Sequence, residues 1–457
     1  MGYLRTTFAL TAAFIAVPGL SRAEPPVLQA TVSEADDFKL SGSIRLRFEA
    51  LDGQPRAGLR ASDEQLALRS ILGAEYAAGP IRLFAEMHDS RTWLYQPGSA
   101  LSANEVDTFE LVQANVGLTL QEPIGLGTRL ALQVGRMTLG LGSRRLVASD
   151  DYRNVTNGYT GLRADLHLAN GTLATAIYVL PHIRLPDDLP SLRAQKSQWD
   201  RESFDLQLWG GLLARPNTFA NTSLEIGYFS LRERDWVGHP TRNRNLDNFS
   251  LRLLREPKAG LFDGEIEGIY QTGNVRTSIA PDAIRQPVSA WFVHADIGYT
   301  FSIKSKLRLS VEYDRASGDG ESGKYGRFDT LFGMRGADFA QSGIYNAVGR
   351  ANISSLGFRA EFPLVDRFEG YTTYRPMWLA EKTDAFSTTN VRDQSGASGS
   401  FAGHQIELQL RYWLIKKFLR AQLNVAWLGK GAFLKNAPNA STKDNTRYLA
   451  TTLSAHF

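Results

Sequence analysis

Leu307-Arg308-Leu309-Ser310-Val311-Glu312-Tyr313-Asp314 decides the fold. Leu307, Leu309, Val311 and Tyr313 alternate with Arg308, Ser310, Glu312 and Asp314, so an extended chain presents one apolar and one charged face. Leu40, Ile44, Leu46 and Phe48 alternate in the same way with Ser43, Arg45, Arg47 and Glu49, and Ile406, Leu408, Leu410 and Tyr412 with Glu407, Gln409 and Arg411. In a soluble sandwich such strands run ~5 to 6 residues. Here the segments run about nine to twelve, which suits the 9 to 11 residues of a tilted membrane strand.

Eighteen such segments are centred near residues 44, 70, 85, 114, 132, 163, 176, 208, 226, 250, 267, 296, 310, 358, 373, 407, 423 and 452. Some connections are tight: Ala77-Ala78-Gly79, Ala169-Asn170-Gly171, Ser302 to Lys306, and Ile415-Lys416-Lys417. Others, at 90–107, 138–158, 181–201, 315–351 and 380–401, are long and polar. The pattern predicts an all-β, transmembrane, antiparallel up-and-down β-barrel of about eighteen strands, with short periplasmic turns and long external loops. A barrel in lipid has no free edge, so alternation must persist to the end. It does, in Leu449, Thr451, Leu453, Ala455 and Phe457.

Ahead of the barrel, Arg5, the apolar run from Phe8 to Val17, and Ser21-Arg22-Ala23 read as a signal peptide over 1–23. Residues 24–37 are then a periplasmic lead-in and 38–457 the barrel, in the outer membrane of a Gram-negative bacterium. The apolar run is too short to span a bilayer as a helix, which takes ~20 residues. There is no cysteine, so no disulfide framework holds this exported chain. With 41 Gly, 24 Phe, 16 Tyr and 8 Trp but a mean hydropathy of −0.24, the chain is rich in aromatics yet barely apolar, as expected of a barrel wetted inside and greasy outside. A formal charge of +4, less Arg5 and Arg22, gives nucleic-acid binding no support.

Three blocks carry a family signal. The first runs from Gly135-Arg136 through Ser143-Arg144-Arg145-Leu146-Val147 and Asp151-Tyr152-Arg153-Asn154-Val155 to Tyr159-Thr160-Gly161-Leu162-Arg163. The second joins Tyr313-Asp314-Arg315-Ala316-Ser317-Gly318-Asp319 to Gly326-Arg327-Phe328-Asp329-Thr330-Leu331-Phe332-Gly333, and the third is Arg447 to Phe457. Together they resemble the alginate export porins. That resemblance implies a monomeric eighteen-stranded barrel, its terminal aromatic read by barrel-assembly machinery, passing an acidic polysaccharide or similar solute through a basic constriction. The chain departs from the founding exporter in one respect: where the latter has a long periplasmic plugging loop, only Ile415-Lys416-Lys417 stands here.

If the apolar face meets lipid, Arg45, Arg47, Arg69, Arg82, Arg129, Arg163, Arg252, Arg308, Arg359, Arg411 and Arg420 face the lumen. Their planar forks suit carboxylates of an anionic saccharide. Glu49, Glu265, Glu312, Asp314 and Glu361 face the same way, however, so the arginines equally read as wall residues satisfied across strands. Arg136, Arg144, Arg145 and Arg153 lie in a loop with few acids besides Asp150 and Asp151, and Arg144 and Arg145 lack an evident local partner, which makes this loop either a constriction or a site for lipopolysaccharide phosphates. A diffusion porin for small solutes is the alternative function.

Other features carry less. Trp93, Tyr95, Tyr76, Tyr299, Trp413 and Trp427 lie near strand ends, where an aromatic girdle is expected. Asp314, Asp319 and Glu321 lack the spacing of a calcium loop and read as a turn. Seven scattered histidines without H-E-x-x-H or G-x-S-x-G give no case for an enzyme, a cofactor or a metal site. A structural barrel would have a lumen filled with bulky side chains, whereas Gly73, Ala67, Ala131 and Gly211 suggest open space.

Overall fold

A computed structural model describes residues 37–340 and 343–457. The expected signal peptide, and the lead-in up to residue 36, lie outside the described residues. The strands are β1 (Phe38–Asp52), β2 (Ser62–Ala78), β3 (Ile81–Trp93), β4 (Asp107–Gln121), β5 (Arg129–Met137), β6 (Tyr159–His167), β7 (Leu173–Pro181), β8 (Leu206–Phe219) and β9 (Thr222–Glu233). They continue as β10 (Asn245–Arg255), β11 (Phe262–Arg276), β12 (Arg285–Thr300), β13 (Arg308–Ala316), β14 (Ile353–Val365), β15 (Phe368–Trp378), β16 (Phe401–Ile415), β17 (Leu419–Lys430) and β18 (Thr446–His456). Each expected segment is a strand. All neighbours pair antiparallel, and β18 returns to β1 with Leu453 opposite Leu46 and Ala450 opposite Glu49.

Phe457 extends the closing ladder of β1 and β18 by one further pair. Phe457 N–H donates to the Gly42 carbonyl at 2.9 Å and the Phe457 carbonyl accepts from Gly42 N–H at 2.8 Å. A Cβ at Gly42 would lie 2.6 Å from the Phe457 ring, so only glycine admits this seam.

The alternation sorts as read. On β13, Leu309, Val311 and Tyr313 are 45%, 40% and 37% exposed to the surroundings, while Arg308, Ser310, Glu312 and Asp314 are all 8% or less. In a membrane barrel the exposed apolar side is the lipid face. The core is therefore inside, where loops fold into the barrel. Leu139, Leu141, Leu146 and Val147 of the 138–158 loop pack with Phe339, Ile344 and Tyr345 of the 317–352 loop and with wall residues such as Phe292 and Leu231.

The lumen is thus much fuller than small inward residues suggested. Ala67 is buried, and Gly211, beside exposed Leu213 and opposite Ala176, lies away from the lumen. Trp413 leaves the expected girdle as well: buried between exposed Tyr412 and Leu414, it points inward beneath Arg420. Tyr95 instead joins two loops, its hydroxyl donating to the Arg193 carbonyl at 3.0 Å.

The tight turns and the terminal strand ends share one rim, and the long loops share the other. Cysteines placed in 182–205 or 379–400 are therefore expected to react with an impermeant thiol reagent on intact cells, and cysteines at Gly79 or Lys416 are not. Labelling at Lys416 would invert the orientation.

Candidate functional site

The wall arginines are mostly occupied. Arg308 holds Asp263 at 2.5 Å, Asp296 at 2.7 Å and Glu361 at 2.9 Å. Arg359 holds Glu361 at 2.8 Å and lies over the Tyr371 ring, Arg163 holds Asp165 at 2.7 Å, and Arg411 holds Glu369 at 3.0 Å. Arg252 bridges Glu225 and Glu265. A guanidinium balanced by carboxylates adds little field to a passage, so these residues stiffen the wall.

Arg45, Arg47 and Arg69 seat the 138–158 loop. Arg45 Nη1 donates to the Asp151 carbonyl at 2.9 Å and its Nη2 to the Arg153 carbonyl at 2.6 Å. Arg47, paired with Glu49 at 2.9 Å, donates to the Tyr152 carbonyl at 2.7 Å and lies 4.4 Å from the centre of the Tyr152 ring. Arg69 reaches the Asp151 carboxylate at 2.7 Å. Backbone carbonyls that would otherwise be buried without donors are thereby satisfied.

The second block proves to be the equivalent fastening for the 317–352 loop. The Ser317 carbonyl accepts from Phe328 N–H and from Asn352 N–H, which clamps both arms of the loop at its root. Gly318 is packed so tightly that a Cβ would lie 2.3 Å from the Asn352 side chain. The Asp319 carboxylate accepts from Gly326 N–H at 3.0 Å, closing a turn. Phe328 stacks on Phe292, and Asp329 pairs with Arg244 at 2.9 Å. Asp314 is a wall residue, bonded to His294 at 2.8 Å and Arg375 at 2.6 Å.

The four-arginine loop divides. Arg145, expected to be unpaired, is 2% exposed and bound to Glu265, Glu267 and Asp338. Burial alone would push its pKa down, but these carboxylates hold it well above the ordinary value. Arg136 is likewise paired, with Glu110 and Glu202. Local sequence could not show this, because the partner Asp338 is 193 positions away from Arg145. Arg144 makes no ion pair among the described residues, and burial together with Arg252 and Arg145 lowers its pKa. Among the described residues the one ion pair of Arg153 is with Asp150, at 2.7 Å.

Arg153, named from the sequence, is the centre of a cationic group whose other members, Arg56, Arg184 and Arg335, the sequence did not reveal. Arg335 and Arg184 make no ion pair among the described residues, and Arg335 Nε and Arg184 Nη1 are buried without a hydrogen-bond acceptor. Burial and the charges of Arg153, Arg56 and Arg350 push the Arg335 pKa down to about 9, and burial and Arg153 push Arg184 to about 10. Arg56 makes no ion pair either, donating to the Ile344 carbonyl at 2.8 Å. Arg153, Arg335 and Arg350 line a cavity of about 350 Å³ among the inward loops, with Arg327, Asn390 and one acid, Asp329. The carboxylates of Asp150, Glu105 and Asp200 offset these guanidiniums only in part, and an entering anion would relieve their crowding further.

Fold and site together define an outer-membrane barrel channel of the Gram-negative type. The chain belongs to the alginate export family, whose sequence profile matches residues 37–447. No curated protein matches it by sequence. Among solved structures it is similar in fold to Pseudomonas aeruginosa OccK2 (OpdF), at 14% identity and a TM-score of 0.56 over 92% of this chain and 98% of that one. It is also similar to Acinetobacter baumannii OccAB1, at 10% identity and a TM-score of 0.57 over 92% and 97%. A structure of OccK2 in complex with glucuronate matches at 13% identity and a TM-score of 0.55, over 92% and 98%.

Proposed function

We propose that this channel passes small anionic saccharides of the uronate type, drawn in by the Arg56, Arg153, Arg184 and Arg335 group where the inward loops meet. The observation that carries the reading is that Arg56, Arg184 and Arg335 are buried to a large degree and make no ion pair among the described residues. Membership of the alginate export family and the glucuronate held by the similarly folded OccK2 support an acidic sugar. The apolar packing of the 138–158 and 317–352 loops inside the barrel favours single sugars and short oligomers over a long polymer. This brings the reading close to the diffusion-porin alternative while keeping its anionic preference.

Channel partners follow from the same reading: lipid and lipopolysaccharide around the barrel, barrel-assembly machinery for insertion, and a single chain as the functional unit. Single-channel recording tests the solute class. Glucuronate and its short oligomers are expected to interrupt the current at concentrations where neutral sugars of equal length do not. Equal block by both would remove the anionic reading.

A further inference from the structure

Next to Arg184 of the arginine group, three carboxylates meet where the loop 182–205 reaches the start of β4. Asp107, Glu110 and Asp200 are each buried, and one oxygen of each lies within 4.8 Å of the others. Strict alternation would put Asp107 and Glu110 on opposite faces of β4. Between them the chain departs from regular pairing: Phe109 has φ 65° and turns outward, 59% exposed, and the β3–β4 register shifts between His88 and Ser90. This irregularity brings both carboxylates to the inside, where Asp200 arrives from the loop beyond the short helix α1 (Leu189–Arg193).

Two of the three are partly satisfied. Asp200 N–H donates to Glu110 at 2.9 Å, Leu185 N–H donates to Asp200 at 2.8 Å, and Glu110 also pairs with Arg136. Asp107 is different. It is 2% exposed, and its Oδ1 has no hydrogen-bond partner. A buried carboxylate oxygen left so is costly unless a proton or a cation compensates it.

The charges around the cluster favour a cation. Asp107, Glu110, Asp200 and Glu202 face two guanidiniums, Arg136, shared between Glu110 and Glu202, and Arg184, whose charge acts on Asp200. Burial and Arg136 push the pKa of His182 down to about 4, so it adds no charge at neutral pH. Four carboxyl groups thus face two guanidiniums; burial and Glu110 push the Asp200 pKa up to about 7, and a divalent ion would displace the protons that the two surplus groups hold. The donors are all hard oxygens, and ligand atoms less than about 5 Å apart fit an ion that holds oxygens at 2.3–2.6 Å. The other buried group, His294, Asp314 and Asp338, lacks this surplus because Arg375, Arg145 and Arg350 already hold its carboxylates.

We propose that Asp107, Glu110 and Asp200 bind a calcium ion that fastens the loop 182–205 to the outer end of β4. Calcium titration of the full chain, refolded free of lipopolysaccharide, tests this by calorimetry and by the temperature at which the folded barrel loses its faster gel mobility. The expected result is one saturable site and a higher transition temperature in calcium than in chelator. Asp107→Asn and Asp200→Asn are expected to weaken binding at least tenfold while the barrel still folds, as read by that mobility. No saturable binding by the unaltered chain, or undiminished binding by both folded variants, would overturn the proposal.

Discussion

With Arg153 and Arg335 both replaced by alanine, block of the channel by glucuronate is expected to weaken roughly tenfold, and anion preference to fall with it, because steering by focused charge spans about 10- to 1,000-fold. The expectation follows from what surrounds the two side chains. Arg335 makes no ion pair among the described residues and so projects net charge into the 350 Å³ cavity that it lines with Arg153, whose own charge is shared with Asp150. Arg308→Ala is the instructive contrast. Arg308 is closed in by Asp263, Asp296 and Glu361, and its loss is expected to change block far less. Recording both variants under one salt condition checks the assignment, since Arg308→Ala having the larger effect would move the constriction to the wall.

Replacing Arg145 by methionine is expected to act on the fold first. Its guanidinium is the shared counter-charge of Glu265, Glu267 and Asp338, and so links the 138–158 loop, β11 and the 317–352 loop. Removing one partner of a buried ionic network costs about 3–5 kcal/mol, largely because the remaining charges stay buried and uncompensated. The barrel wall, held by its own ladder of hydrogen bonds, is expected to survive while both loops loosen. Protease cleavage within 138–158 and 317–352 of the folded barrel should rise steeply, with larger and noisier single-channel currents. Unchanged cleavage and current would show that the loops are held by their apolar contacts alone.

Local chemistry explains what the sequence made legible. Strand alternation and turn composition are written within a dozen residues, so all eighteen strands and the rim that carries the long loops could be read directly. The wall pairing of Arg308 and Arg359 was also foreseeable, because inward acids recur at the same parity on neighbouring strands. The loop arginines were harder. Arg145 looked unpaired because its partners come from β11 and from a loop distant in sequence. Arg56, Arg184 and Arg335 lie in segments without periodicity, and nothing local distinguishes an arginine that finds a carboxylate from one that does not. Asp107 and Glu110 were hidden for a different reason: only the irregular backbone at Phe109 puts them on one face.

The motif residues Ser317, Gly318, Asp319, Phe328 and Asp329 illustrate the same division. Their spacing marked the family, and they root and shape an inward loop, with Phe328 and Asp329 also lining the arginine cavity. Arg335 lies on that loop, so the motif places it in the lumen without contributing to its charge.

The central claim is that the arginine group gives a nearly balanced barrel a positive narrowest point, and the reversal potential of the unaltered channel across a potassium chloride gradient measures this directly. A potential of the sign set by chloride, diminishing as salt is raised and screening grows, is the result expected. A reversal potential set by potassium would contradict the claim, since no arrangement of the paired wall charges would then leave an anionic saccharide favoured at the constriction.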